Sequence, residues 1–581
     1  MYHGFPRPPL QWGLEKGPVR VMLLITKKET KMNRLMLPLV ASLMAFTAIA
    51  GEVEDKVAHW VSTATTTADR SWTKAENWSD GIIPGRYGTS GENGSRGWTA
   101  ILDGGSTWLM RVQGVPYSIS NVIFSSGTKL TTIGSGDYDY IPLEVGGMFR
   151  IASAPAGLES LTVTAYIKIC EMIENSPIHI RNDCAATLMN LRGFKGFTKL
   201  EGVTGTCYPE VFMEGCGRIR LRDGFAVGGG YRADITMAMD AGGCLQITNS
   251  VGNLRTVHVS PGVPKQTIEI FEGSKLTTGS QTSSRQVDAN SDIDFIGSGT
   301  LQINSTGTAN SGLCVANGTI DISCTLAQGS TAEDASFKIH GSTSGTVRIR
   351  GENLVPQNPL VSGVALEVAT MGKSGEPSAL GLGDGVGLSG NARLRYVGAG
   401  ETCDRALDLF SKTGVVEQAG TGILDLQGTA VASAWRSALV LLNNTDVKAV
   451  YSGVIKTGDY DLNVIKRGSG EWMLSGANTT DGMFTLESGT LTAGNEDAFH
   501  KLTLDGEGCC LKVTDGIALN ITTFYREKGS VNVVTGSGAS VRIKGLPKGR
   551  APEWLTLNGS AATVGSDGLI KPLLGLILMV R

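Results

Sequence analysis

The chain has 581 residues, 78 of them glycine, and its 51 Lys and Arg against 54 Asp and Glu leave a formal net charge of −3. With 41% hydrophobic and 18% charged residues it is too apolar for a disordered chain. The near-balance of charge gives no electrostatic footprint for nucleic acid, and glycine without a three-residue period excludes collagen. What remains is several ordinary domains or one long repetitive one.

Residues 31–50 read KMNRLMLPLVASLMAFTAIA. Lys31 and Arg34 supply a positive start, 35–48 is an apolar stretch, and Ala48-Ile49-Ala50 is a small-x-small cleavage site followed by polar GEVED. The apolar run is too short to span a bilayer comfortably. Residues 32–50 are therefore expected to be a secretory signal peptide, with the mature chain beginning at Gly51 and carrying no transmembrane segment. Residues 1–31 fit no signal design and are expected to be a spurious extension ahead of a true start at Met32.

Ten Cys lie at 170, 184, 207, 216, 244, 314, 324, 403, 509 and 510. No C-x-x-C occurs and there are only six His, which argues against zinc knuckles and redox pairs. The expectation is small buried hydrophobes, with one or two local bridges such as Cys207 with Cys216.

From residue 51 onward, helical periodicity is rare and period-two segments are frequent: 145–151, 161–163, 219–221, 301–303, 347–349 and 541–543, each bounded by Gly, Ser, Thr, Asn or Asp. One small unit recurs. Gly215-Cys-Gly217, Gly297-Ser-Gly299, Gly420-Thr-Gly422, Gly468-Ser-Gly470, Gly506-Glu-Gly508 and Gly536-Ser-Gly538 each lead into a strand with two inward apolar residues. A G-x-G with no following helix is not a phosphate cradle. Recurrence without helices points to a solenoid.

The run VIKRGSGEWMLSGANTTDGMFTLESGTLTAGNEDAFH (464–500) resembles the autotransporter-associated β-strand repeat, also called the passenger-associated transport repeat. Lys466, Gly468, Gly470, Trp472, Leu474, Gly476, Asn478, Gly482, Leu486, Gly489 and Leu491 fall on its pattern. The opening WTKAENWSDGIIPG (72–85) resembles the W-x(4)-N-W-x-x-G-x-x-P start of such proteins. The resemblance implies an all-β, right-handed parallel β-helix displayed outside the cell, with no catalytic or ligand residues to transfer. Two departures stand out. Residues 500–581 contain no ten-residue amphipathic strands ending in an aromatic, so no barrel of its own is expected, and such passengers are usually poor in Cys.

The expected organisation is an N-terminal cap region at 51–110, a degenerate solenoid at 111–390, the repeat region at 391–515, and final coils with a cap at 516–581. Coils of roughly 20–25 residues, stacked about 4.8 Å apart, make on the order of 20 coils. The Trp-rich segment 60–110 and the strand-like GLILMV at 575–580 are the candidate end covers.

Chemistry is sparse. Asp137/Asp139, Asp292/Asp294 and Asp459/Asp461 place paired carboxylates on one strand face, as a glycoside hydrolase requires, but each lies in a turn-rich stretch where Asp serves local hydrogen bonding. His340 reads as an exposed strand-end residue. Trp72, Trp78, Trp98 and Trp108 suit a hydrophobic plug better than a sugar-stacking surface. No catalytic residue, metal site or cofactor is expected. The functional expectation is a non-enzymatic secreted or cell-surface solenoid, structural or adhesive, contacting extracellular polysaccharide or cell-surface components. The alternatives are a carbohydrate-active β-helix enzyme and a passenger exported by a separate outer-membrane barrel.

Overall fold

The computed structural model describes residues 57–573 except 67–68, 85–97, 106–108, 112–116, 126–131, 135–142, 155, 164–166, 170–177, 193–209, 223–232, 280–285, 305–310 and 330–336. The signal peptide, the 1–31 extension, Trp108, Asp137/Asp139, Cys170, Cys207 and the 575–580 strand lie outside these residues. Among the described residues the one helical element is a single 3-10 turn, Ala75–Asn77. Everything else regular is strand.

Nearly all strand pairs are parallel and in register. One ladder runs unbroken from Leu109–Arg111 to Thr523–Thr535, each strand pairing with the strand one coil ahead. Second and third faces are built the same way, for example Phe337–Gly341 on Pro359–Ser362 and Ala449–Tyr451 on Glu471–Leu474. This is a parallel β-solenoid, as the recurrent turn-and-strand unit predicts. The coil length is irregular: Met189 pairs with Ile219 in a long coil, whereas Thr485 pairs with Thr503 in a much shorter one.

Period-two patterning builds the core. Ile293, Ile320, Val347, Leu366, Leu394, Val416 and Leu441 stack as one inward column, all buried. Each shields the residue above and below, so burial is shared between coils. Leu474, Leu486 and Leu491 of the best-matching repeat are buried as expected.

The repeat's other residues join coils. Gly468 has φ +80°, and a Cβ at Gly470 would lie 2.4 Å from the Thr445 carbonyl oxygen and 2.5 Å from Asn443 Cγ. The buried Asn443 fills that space: its Nδ2 donates to Val447 O (2.8 Å) and to Glu471 O (2.9 Å) of the following coil. Asn182 repeats the arrangement beneath Gly215 and Gly217, donating to Thr187 O and Arg218 O. At these two turns the G-x-G marks where one coil turns against the Asn amide of the coil before it, whereas Gly297, Gly299, Gly420 and Gly422 lie close against the preceding coil's backbone instead. Asn478 joins three coils, accepting from Ile455 N (2.7 Å) and donating to Ala498 O (2.8 Å). Lys466 occupies the apolar column between Leu441 and Leu486, and its Nζ donates to the carbonyls of Arg467, Gly468 and Ser488.

A parallel ladder ends in an open edge that invites further pairing. At the first strand, Val57–His59, residues 77–79 run back antiparallel along it: Val61 N donates to Asn77 O and Ser79 N to His59 O, both at 2.9 Å. Trp60, Trp72 and Trp78 pack edge-on beneath, with ring centroids 5.2 and 4.8 Å apart, and all three are buried. Trp72 and Trp78 thus lie inside, and Trp98 is partly buried against the core. Near the far end, Gly549–Arg550, Leu555–Leu557, Ser560–Val564 and Ile570–Pro572 switch to antiparallel pairing.

Candidate functional site

The carboxylate pairs do not form a catalytic centre. Asp292 accepts from Thr319 N (2.7 Å) and Asp294 pairs with Lys265 Nζ (2.5 Å), so both are engaged across coils. Asp459 and Asp461 are exposed, and Asp461 accepts from Thr457 Oγ1 in its own turn. His340 is half-buried rather than exposed, held on Phe337–Gly341 between Cys314 and Ser362. Burial pushes the thiols of Cys244, Cys324, Cys403 and Cys509 up to about 11, which suits packing rather than reactivity. Among the described residues no group of three or more His, Cys, Asp and Glu comes together as a metal site, and no helix is long and apolar enough to cross a membrane.

A different place stands out. Phe410, Trp435 and Tyr460 are 45%, 67% and 42% exposed, three of the four exposed aromatic rings among the described residues. They occupy the same corner of three successive coils. Leu409 is in register with Ala432, Ser433 N donates to Leu409 O, and Tyr460 N donates to Ala432 O. The corner then closes identically in each coil: Ala438 N bonds Lys412 O, and Asn463 N bonds Ser437 O.

Local contacts shape this corner. The buried Ser437 hydroxyl donates to Ala434 O (2.8 Å) and Leu409 O (3.2 Å), which fixes the turn that carries Trp435 outward. Five non-glycine residues have positive φ among the described residues, and three are Asn, which tolerates it. The other two are Lys412 (φ +56°) and Arg436 (φ +61°), in adjacent coils of this corner. The left-handed conformation costs such side chains about 1–2 kcal/mol each. At Arg436 it sets the guanidinium 4.0 Å over the Trp435 ring, a cation–π contact that stiffens the exposed indole. Phe410 lies back over Gly387, where a Cβ would meet the ring at 2.6 Å. Lys456, Asp459 and Asp461 line the same edge, all exposed.

No local motif marks these rings in the amino-acid sequence. The available signal was their spacing, 410, 435 and 460, in a region where Val415, Val440 and Ile465 pair across coils at the same interval. The Asp459/Asp461 pair was noticed for carboxylate chemistry and lies beside Tyr460 instead.

A second built feature lies at the start of the strand Ala406–Ser411 that carries Phe410 near its end. Arg405 is buried, and its guanidinium donates to Gly383 O, Lys373 O (2.7 Å), Glu376 O (2.8 Å), Gly381 O (2.8 Å) and Ser378 Oγ (3.2 Å). Glu401 accepts from Met371 N and Gly372 N, and Asp404 from Ser374 N. The loop over 371–383 is therefore pinned by the next coil, a structural role.

No family model matches the chain, and no solved structure matches it. Over 356 residues it is 29% identical to the "Adhesin BmaC autotransporter" of Brucella suis biovar 1 (strain 1330). The match covers 56% of this chain and 10% of that protein, so the chain spans about a tenth of the length of the curated relative it matches. The chain is a parallel β-solenoid similar to an autotransporter adhesin, in keeping with the resemblance of its repeats to an autotransporter passenger.

Proposed function

We propose that this chain is a non-enzymatic, surface-displayed β-solenoid that adheres through the aromatic corner at Phe410, Trp435 and Tyr460. The single observation that carries the reading is that corner: three exposed rings on consecutive coils, two of them beside cations held at unfavourable φ. Its solvent-facing rings favour contact with a partner over chemistry. Similarity to an autotransporter adhesin supports display and adhesion, and the signal-like segment 32–50 supports export with a mature start at Gly51.

The test is made on the native cell. Deleting the gene should lower adherence, restoring it should recover adherence, and a Trp435→Ala chain displayed at equal level should recover less. Protease shaving should release peptides from 337–573, and mass spectrometry of the exported chain should find Gly51 at its start. Unchanged adherence after deletion refutes the adhesive reading. A peptide from 1–31 in the exported protein refutes the proposed start.

A further inference from the structure

We infer that the corner takes a neutral polysaccharide chain of pyranose rings lying along the solenoid axis. This rests on the adhesive reading above and names the partner of that site.

Three properties of the corner carry the inference. The first is repetition. The rings recur once per coil, and coils stack at about the spacing of paired strands, 4.8 Å, which is close to the length of one sugar ring in an extended glycan. A linear polysaccharide is the partner whose own repeat can meet a ring on each coil. The second is the kind of surface. Phe410, Trp435 and Tyr460 expose flat apolar faces, and sugars present flat C–H faces ringed by hydroxyls. Each ring has charged neighbours able to meet those hydroxyls: Asp408 and Lys412 by Phe410, Arg436 by Trp435, and Lys456, Asp459 and Asp461 by Tyr460. Protein interfaces also use Tyr, Trp, Phe and Arg, but their centres are depleted of Lys and Asp, which here stand next to the rings in sequence. The third property is charge. The corner segments hold three cations, Lys412, Arg436 and Lys456, against three anions, Asp408, Asp459 and Asp461. That balance gives no attraction to an anionic lipid surface or to a polyanionic glycan, both of which need an excess of Lys and Arg.

Preorganisation favours the same reading. The Trp435 indole is held by Arg436 and by the Ser437-locked turn, so little side-chain freedom is lost on contact.

The experiment uses the purified full-length chain in affinity gel electrophoresis. Gels contain hydroxyethyl cellulose or galactomannan as neutral polysaccharides, or alginate as an anionic one, and vesicles of anionic phospholipid are tested by co-sedimentation. The variants are Trp435→Ala, the double Phe410→Ala/Tyr460→Ala, and Tyr525→Ala as an exposed ring away from the corner. Circular dichroism confirms that each variant keeps the strand content of the parent. The expected result is retardation by at least one neutral polysaccharide, with affinity lowered about tenfold or more by Trp435→Ala and by the double variant, and unchanged by Tyr525→Ala. The inference is overturned if neither neutral polysaccharide retards the chain, if Trp435→Ala binds like the parent, or if only alginate or vesicles bind. The two readings fail separately. Chain-dependent adherence without binding to neutral polysaccharide removes this inference alone. Binding that persists while deletion leaves adherence unchanged removes the adhesive reading alone.

Discussion

Replacing Gly470 with Ala tests the joint that holds coil to coil. The added Cβ would sit 2.4 Å from the Thr445 carbonyl oxygen and 2.5 Å from Asn443 Cγ. The carbonyl belongs to the backbone of the preceding coil and yields little, so the turn has to lift off it and the Asn443 side chain has to move as well. Asn443 makes four hydrogen bonds, two donated, to Val447 O and Glu471 O, and two accepted, from Thr445 N and Thr445 Oγ1. At about 1 kcal/mol net for each bond lost, with about 1–3 kcal/mol of overpacking partly relieved by the same movement, the cost is about 4–6 kcal/mol. Gly508→Ala is the control. Its φ is +63° and its Cβ would meet nothing within 4 Å, so only the left-handed backbone is penalised, by about 1–2 kcal/mol. A solenoid opens locally rather than all at once, so a global melt dilutes a single-coil defect. Hydrogen exchange resolved by peptide is the suitable assay. Amides of 438–476 should exchange at least about a hundredfold faster in Gly470→Ala, while 501–535 in Gly508→Ala should change about thirtyfold or less. Protection of 438–476 within threefold of the parent, or equal damage by both substitutions, would refute the account of the G-x-G turn.

Other expectations follow from named contacts. Leu474→Asp buries a carboxylate between Tyr451 and Ala493 and should cost several kcal/mol, about 3–5, in local stability. Glu487→Ala loses an Arg467 ion pair that is nearly half exposed and should cost less than about 1 kcal/mol; equal exchange rates in these two variants would show the strand is not half-buried. Burial pushes Lys466 down to about 8, below the 10.5 of an unfolded lysine. Between those values the unfolded chain binds more protons at Lys466, so this group adds roughly 1–3 kcal/mol as pH rises from 8 to 10.5, the three carbonyls keeping the gain below the full shift, while the neighbouring Cys509 thiol, pushed up to about 11, acts in the opposite sense above pH 9. In urea unfolding followed by Trp fluorescence, the stability of the parent minus that of Lys466→Met should rise by this amount between pH 8 and 10.5, the subtraction removing the opposite effect of the buried thiols common to both. Arg405→Lys cannot reach the five acceptors around 371–383 and should open that loop to limited proteolysis without altering cleavage elsewhere; an uncut loop would refute the pinning role.

Features that depend on neighbours along the chain were legible in the amino-acid order. Alternation of Leu, Ile and Val with polar residues over a few positions specifies which face of each strand is buried, and Ile219, Leu301, Leu426, Leu474 and Val541 all obey it. Glycine at the turns is legible because only glycine adopts φ near +80° to +100° cheaply, as at Gly215, Gly297 and Gly468. Such local signals repeated without helices point to an all-β repetitive fold, and the resemblance of 464–500 to a known repeat narrows it to the parallel solenoid. Stacking across coils is a different matter, because it depends on coil length, and that length varies widely between the Met189–Ile219 and Thr485–Thr503 pairs. A pattern read along the chain therefore loses phase within one or two coils. That Lys466 replaces Leu in an apolar column, that His340 is half-buried, and that Arg405 holds a loop of the coil before it are all consequences of stacking. So is the single exposed edge shared by Phe410, Trp435 and Tyr460. Each of those residues is ordinary in its own strand or turn, and its role comes from what the next coil sets against it.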